Sequence, residues 1–303
     1  MALFIVATAL LRAGDHVVLT RPNYATNLET PRRAIGCDVT HVDLDFDSGF
    51  RLDVARVAAA VRPGATRLIS VCSPNNPTGT RCSAAQLRAL ARLAAGSGCY
   101  LLVDETYADL VLDYEEGEGE EKEEEEKDGP VAAATLGPHV VGVSSMSKAY
   151  GVPGIRIGWL TTTSAELRER FLAAKEQISI SGSVLDELVA ERVLSRRAEL
   201  LAATVADVRR RRDRVARWVE HDAADLVEWV RPAAGVMCFV RMKHEPPGGT
   251  AAFYRRLLDD HGAYVGPGRW FECDDRMFRL GYGWPTWEEL EKGLDAITKA
   301  LRG

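Results

Sequence analysis

The chemically richest run in the sequence occupies positions 144–159, S-S-M-S-K-A-Y-G-V-P-G-I-R-I-G-W. Lys148 follows an apolar, strand-like segment, sits beside Ser145 and Ser147, and is trailed by Gly154, Arg156 and Gly158. A lysine alone is ordinarily a solvated surface residue. Small hydroxyls and a guanidinium gathered around an amine point instead to a phosphate anchored beside a reactive amine. Two further clusters add suitable groups. Asn75-Asn76-Pro77-Thr78-Gly79 follows the β-branched run R-L-I-S-V-C at 67–72, and Asp104-Glu105-Thr106-Tyr107 follows Y-L-L-V at 100–103. Singly, N-P-T-G is a turn signal and D-E-x-Y a loop start. Together they stand at the carboxyl ends of neighbouring strands, where open α/β sheets bind ligands. Asn76, Asp104, Tyr107 and Lys148 are therefore expected to converge on one crevice.

Placing these groups requires an α/β layer structure. Strands are expected at 15–20, 38–42, 67–72, 100–103, 139–143 and 157–161. The stretch 83–95 has Leu87, Leu90, Ala91 and Ala94 on one helical face, so 67–103 reads as a βαβ unit with parallel strands covered on both sides. From residue 164 onward the pattern changes: helices at 164–177 and 184–220, strands at 226–231 and 236–242, a helix at 249–261 and a strand at 277–281. A last helix starts with the capping box Thr286–Glu289 and carries the stripe Leu290, Leu294, Ile297 and Leu301. The arginine run at 209–212 reads as a solvated or bridging helix face in preference to a nucleic-acid contact.

Composition narrows the function classes. The 303 residues are 46% hydrophobic and 27% charged, which excludes wholesale disorder. The formal charge of −6 comes from one place: residues 115–127 hold nine Glu and two Lys, a net −7, so the remainder sums to +1. No broad basic footprint for nucleic acid exists. The acidic segment, about 115–129, lacks branched apolar residues and reads as a flexible surface insertion. Six scattered cysteines without a C-x-x-C pair suggest reduced, mostly buried thiols in a cytosolic protein, and neither they nor the six histidines have metal-site spacing. The apolar run at 1–11 has no basic residues before it and is shorter than the roughly 20 residues of a membrane span, so it is read as a buried helix with no targeting signal.

P-x-Y (Pro22-Asn23-Tyr24), N-P-T-G, D-E-x-Y, S-x-S-K-x5-G-x-R and F-R-L-G-Y (278–282) stand in an order that resembles the class I/II aminotransferases among the fold-type I pyridoxal-phosphate enzymes. The similarity runs from Met1 to the C-terminus, interrupted by the acidic segment. It implies a three-layer, mostly parallel-sheet cofactor domain at 1–200, followed at 201–303 by a long connecting helix and a smaller α+β domain. By resemblance, Lys148 forms the Schiff base with pyridoxal 5'-phosphate and then acts as general acid and base. Asp104 pairs with the ring N–H, so that the ring can act as an electron sink. Tyr107 and Asn76 bond the ring's phenolic oxygen, and Tyr24 stacks on its face. Ser145 and Arg156 hold the phosphate, with Ser147 a weaker candidate. Arg279 takes the substrate α-carboxylate as a bidentate pair, with Asn76 beside it.

The sequence departs from the family at its start. Met1 falls in or just after the glycine-rich turn that supplies further phosphate contacts, which implies a truncated chain or weaker cofactor binding. The implied activity is transamination between an amino acid and a 2-oxo acid, in amino-acid metabolism or biosynthesis, by a cytoplasmic homodimer with no nucleic-acid or membrane partner. Two alternatives share the motifs: a lyase, cyclase or oxidase of secondary metabolism resembling capreomycidine synthase, and a non-catalytic protein that keeps the fold.

Overall fold

The computed structural model of the protein describes residues 1–113 and 131–303, so the acidic segment lies outside the described residues. The chain opens with α1 (Ala2–Leu10), β1 (His16–Arg21), α2 (Ala25–Glu29), β2 (Asp38–Asp43), α3 (Val54–Ala60), β3 (Thr66–Cys72), α4 (Ala84–Gly96) and β4 (Tyr100–Asp104). It continues with β5 (Val140–Ser145), β6 (Gly158–Thr161), α5 (Ala165–Ser179), α6 (Val184–Ser195) and α7 (Arg197–Arg217). The remainder is β7 (Val227–Trp229), β8 (Met237–Met242), α8 (Gly249–Asp259), β9 (Gly266–Pro267), β10 (Met277–Gly281) and α9 (Trp287–Arg302).

Among the described residues, strands β1 to β6 form one sheet in the order β2-β1-β3-β4-β5-β6. Every pair is parallel except β5–β6. Alternation along these strands sends side chains to opposite faces. Val17, Leu19, Leu68, Leu102, Val141 and Val143 pack with Ile5, Val6 and Leu10 of α1 and with Leu167 and Phe171 of α5. Val18, Ile69, Val71, Leu101 and Val103 pack with Val57 of α3 and with Leu87, Leu90 and Ala94 of α4. This is the expected three-layer α/β arrangement, and the apolar N-terminal run is the buried helix it was read as. Residue Leu90 is wholly buried, and cutting such a side chain to alanine costs about 2–5 kcal/mol.

The second sheet, in the order β7-β8-β10-β9, is antiparallel throughout. Cys238, Val240, Phe278 and Leu280 face a core closed by Leu290, Leu294, Ile297 and Leu301 of α9. Helix α9 carries the Thr286–Glu289 capping box, and α4 carries another at Ser83–Gln86. Phe239, Phe271 and Met277 point the other way, into the core between the first sheet and α3/α4. The two sheets therefore share apolar contacts.

Two expected elements differ in their bounds. The single helix expected over 184–220 breaks at Arg196 (φ −111°, ψ 16°). There the Ser195 hydroxyl donates to the Arg192 carbonyl at 2.9 Å, a side-chain bond to the backbone that competes with the helical ladder. The strand expected over 226–231 is confined to β7, because the chain beyond it turns to bond elsewhere: Ala233 O accepts from Leu112 N at 2.8 Å, and Ala234 N donates to Gly79 O at 3.0 Å. Strand β9 is two residues long, too short to show any period.

All six cysteines are unpaired, four buried and two half-buried. Burial pushes the Cys37 and Cys82 thiols up to about 11. No helix among the described residues is long and apolar enough to cross a membrane.

Candidate active site

The loop after β3 is held from both sides. Asn75 accepts from the Thr78 N–H (3.2 Å) and hydroxyl (2.9 Å), and its amide donates to the Pro22 carbonyl at 3.2 Å. Gly79 ends the loop at φ +73°, where a Cβ would stand 2.4 Å from Pro232 Cβ and 2.8 Å from Ala234 O. Only glycine lets the 232–235 backbone approach this closely. Buried Asn76 is left facing Arg279, whose Nη1 donates to Asn76 Oδ1 at 3.1 Å.

Strand β4 ends on Asp104, which is 4% exposed. Its Oδ1 accepts from the Thr106 N–H at 3.1 Å and hydroxyl at 2.6 Å, and its Oδ2 from Asn27 Nδ2 at 3.0 Å. Asn27 also donates to Asn23 Oδ1 (3.0 Å), and Asn23 donates to the carbonyl and hydroxyl of Thr20 at the end of β1 (both 3.3 Å). The carboxyl's orientation is thus set by side chains anchored on the neighbouring strand. The motifs did not disclose Asn23, Asn27 or Thr106 as supports. The signal available was Asn at 23 and 27, on one face of a one-turn helix start.

Tyr107, also 4% exposed, belongs to a small cluster with Leu110, Ala149 and Met237. Burial pushes its phenol well above the usual range, with Arg279 pulling the other way. Its hydroxyl has no hydrogen-bond partner among the described residues.

Lys148 sits in the connection between the antiparallel strands β5 and β6. That connection is closed by the Ser145–Gly158 pair and by Met146 N donating to Ile157 O at 3.0 Å. Ser145 Oγ accepts from Ser147 N at 3.3 Å. Arg156, at φ +56°, is exposed and donates to the Pro153 carbonyl at 2.7 Å. Lys148 is open to the cleft and makes no hydrogen bond or ion pair among the described residues. Enclosure of its amine, then the charges of Arg279 and Arg156, hold its pKa below the usual range.

Tyr107, Lys148 and Arg279 share a cleft of about 640 Å³ whose walls include Trp270 and Trp284. Asn76 joins them through its bond to Arg279. Asp104 lies buried at the end of β4, and Tyr24, 43% exposed, follows Asn23 at the start of α2. Ser145, Ser147 and Arg156 stay with the lysine's own turn and do not line this cleft.

The family model for aminotransferases of class I and II matches residues 2–297. The chain belongs to this family. It is 31% identical over 301 residues to capreomycidine synthase of Streptomyces vinaceus, covering 99% of the chain and 72% of that protein. It is 31% identical over 271 residues to an arginine–pyruvate transaminase of Pseudomonas aeruginosa, covering 89% of the chain and 64% of that protein. A PLP-dependent aminotransferase from Streptococcus suis superposes with a TM-score of 0.84 at 28% identity, over 99% of this chain and 74% of that one. Pyridoxal phosphate is the cofactor that the family and this neighbour imply. The residues present suit it: an unpartnered amine, an unpartnered buried phenol and a buried carboxyl held by three donors match an aldehyde, a phenolic oxygen and a ring N–H.

Proposed function

We propose that this aminotransferase-family protein transfers an amino group between an amino acid and a 2-oxo acid, with residues 1–200 holding the cofactor and 201–303 presenting Arg279. The observation that carries the reading is the pairing, in one cleft, of an unpartnered Lys148 amine with the Arg279 guanidinium. Pyridoxal phosphate supplies an aldehyde and an electron-accepting ring. Asp104, turned by Asn27 and Thr106, accepts the ring N–H. Tyr107 and Asn76 donate to the phenolic oxygen, Tyr24 covers the ring face, and Ser145 and Arg156, with Ser147, bind the phosphate. Arg279, steadied by Asn76, binds the α-carboxylate, and the Lys148 amine takes and returns the proton at the substrate's α-carbon. A cytoplasmic homodimer is part of this reading.

The test begins with visible absorbance of the purified protein with added cofactor, then borohydride reduction and peptide mapping. A cofactor fixed at Lys148 is expected, and lost in Lys148→Ala. If nothing is fixed in the parent chain, the reading fails and a non-catalytic role replaces it. Amino donors are then screened with 2-oxo acids, arginine with pyruvate among the first pairs. The similarity to capreomycidine synthase favours a cyclase as the second reading. Amino acid consumed without any 2-oxo acid would support the cyclase against the transaminase.

A further inference from the structure

The turn Gly268–Phe271 and the residue after it lie where the two sheets meet. Phe271 is buried edge-on to Phe239, with centroids 5.5 Å apart. Its ring lies 5.1 Å from the Arg279 guanidinium carbon. Gly266 leaves open the point where three side chains meet: Arg279, Phe271 and Trp270 each come within 3.5 Å of the position a Cβ would take.

Glu272 follows with φ +58°, a left-handed conformation that is strained for a non-glycine residue. It persists only where the surroundings over-determine it. Here the surroundings are two guanidiniums and an imidazole whose pKa burial holds below its ordinary value. The Glu272 carboxyl, 21% exposed, pairs with Arg32 Nη2, approaches His41 Nε2 at 3.6 Å and approaches Arg21 Nη1 at 3.9 Å. All three partners belong to the first unit: Arg21 ends β1, Arg32 follows α2 and His41 lies on β2. Neighbouring acids complete the cluster, Asp43 taking Arg21 Nε at 2.6 Å and Glu29 taking Arg32 at 2.6 Å and Arg33. Arg32 Nε and His41 Nδ1 are buried without partners, so their groups have little other anchorage than Glu272 and these acids.

The two ends of this cluster lead to different parts of the site. Arg21 immediately precedes Pro22-Asn23-Tyr24, the stretch that stacks Tyr24 and sends Asn27 to Asp104. Glu272 immediately follows Phe271, which backs Arg279. We propose that Glu272 is a positioning residue: clamped by Arg21, Arg32 and His41, it sets the separation between the cofactor wall and Arg279, and thereby the affinity for the substrate carboxylate. The inference rests on the reading of Arg279 as the carboxylate-binding group.

The test titrates the cofactor-loaded protein calorimetrically with maleate, an unreactive carboxylate probe. Glu272→Gln is expected to weaken maleate binding about tenfold. It should raise KM for the amino acid by a similar factor with kcat within about twofold, leaving cofactor affinity and absorbance unchanged. Arg32→Gln, at the more exposed end of the pair, carries the same expectation if Glu272→Gln does not fold. The double variant should lose little beyond either single one. Parental maleate affinity in Glu272→Gln or Arg32→Gln, while Arg279→Gln loses it, overturns the clamp. Loss of cofactor affinity in step with maleate affinity overturns it too. Unchanged maleate affinity in Arg279→Gln instead defeats the reading of Arg279 itself.

Discussion

An ammonium partly withdrawn from water and set beside two guanidiniums, as Lys148 is, gives up its proton more readily than a free lysine. The neutral amine is the form that attacks a carbonyl carbon. Arg279→Gln removes one of the two positive charges, so the Lys148 pKa should rise back toward its ordinary value. Labelling the cofactor-free protein with an amine-acylating reagent across a pH series, with the modified peptide quantified, should show the Lys148 midpoint moving upward. A midpoint that does not move would assign the lowering to enclosure and Arg156 without Arg279. Asn27 illustrates a different dependence. Its amide orients one of the two Asp104 carboxyl oxygens while it is itself held by Asn23 and by the Tyr24 carbonyl.

At the next scale, three strands are tied together by one imidazole. His16 on β1 is 3% exposed, with Nδ1 2.7 Å from Thr66 Oγ1 on β3 and Nε2 2.8 Å from Thr40 Oγ1 on β2. Burial, then the Arg62 charge, hold its pKa below the ordinary value, with Asp38 opposing. In the unfolded chain the imidazole takes its proton near pH 6.5, whereas the native one does so only at lower pH. The unfolded state therefore binds more protons as pH falls below about 6.5, and stability is lost there until the native imidazole protonates too. Urea midpoints at pH 7.5 and 5.5 should differ in the parent chain. The difference should shrink in His16→Gln. An undiminished difference would place the acid sensitivity elsewhere.

For the whole molecule, the two sheets are joined by charge as well as by Phe239 and Phe271. Arg212 of α7, 2% exposed, donates to Asp113 Oδ1 at 3.1 Å, to Asp213 Oδ1 at 3.2 Å and to the Pro232 carbonyl at 3.2 Å. Arg209 donates to Leu112 O at 2.9 Å, and Arg211 reaches the Tyr282 carbonyl at 3.4 Å, so the arginine run at 209–212 bridges parts of the fold. Asp113→Asn leaves the buried Arg212 charge with one carboxylate. A loss of about 2 kcal/mol is expected, below the usual figure for a broken buried pair because Asp113 is half-exposed and Asp213 remains. Denaturant unfolding measures it, and a change under about 0.5 kcal/mol would mark the pair as dispensable. Strands β1, β3, β4 and β5 of the first sheet were legible because continuous apolar runs are what strands buried on both faces require, and α9 was legible through its cap and stripe. The break at Arg196 and strand β9 were not, since one depends on a local side-chain bond and the other on pairing with β10. Likewise Lys148 announced itself by its neighbours in sequence, while Glu272 looked like any surface acid until β1, β2 and the turn after α2 surrounded it. A temporal consequence follows from the β5–β6 hairpin. The lysine, Ser145 and Arg156 are brought together by contacts local in sequence, whereas the Asn27–Asp104 and Asn76–Arg279 bonds span 77 and 203 residues. Loop-closure entropy rises with separation, so during folding the turn that carries Lys148, Ser145 and Arg156 can assemble early, and the Asn76–Arg279 bond closes last.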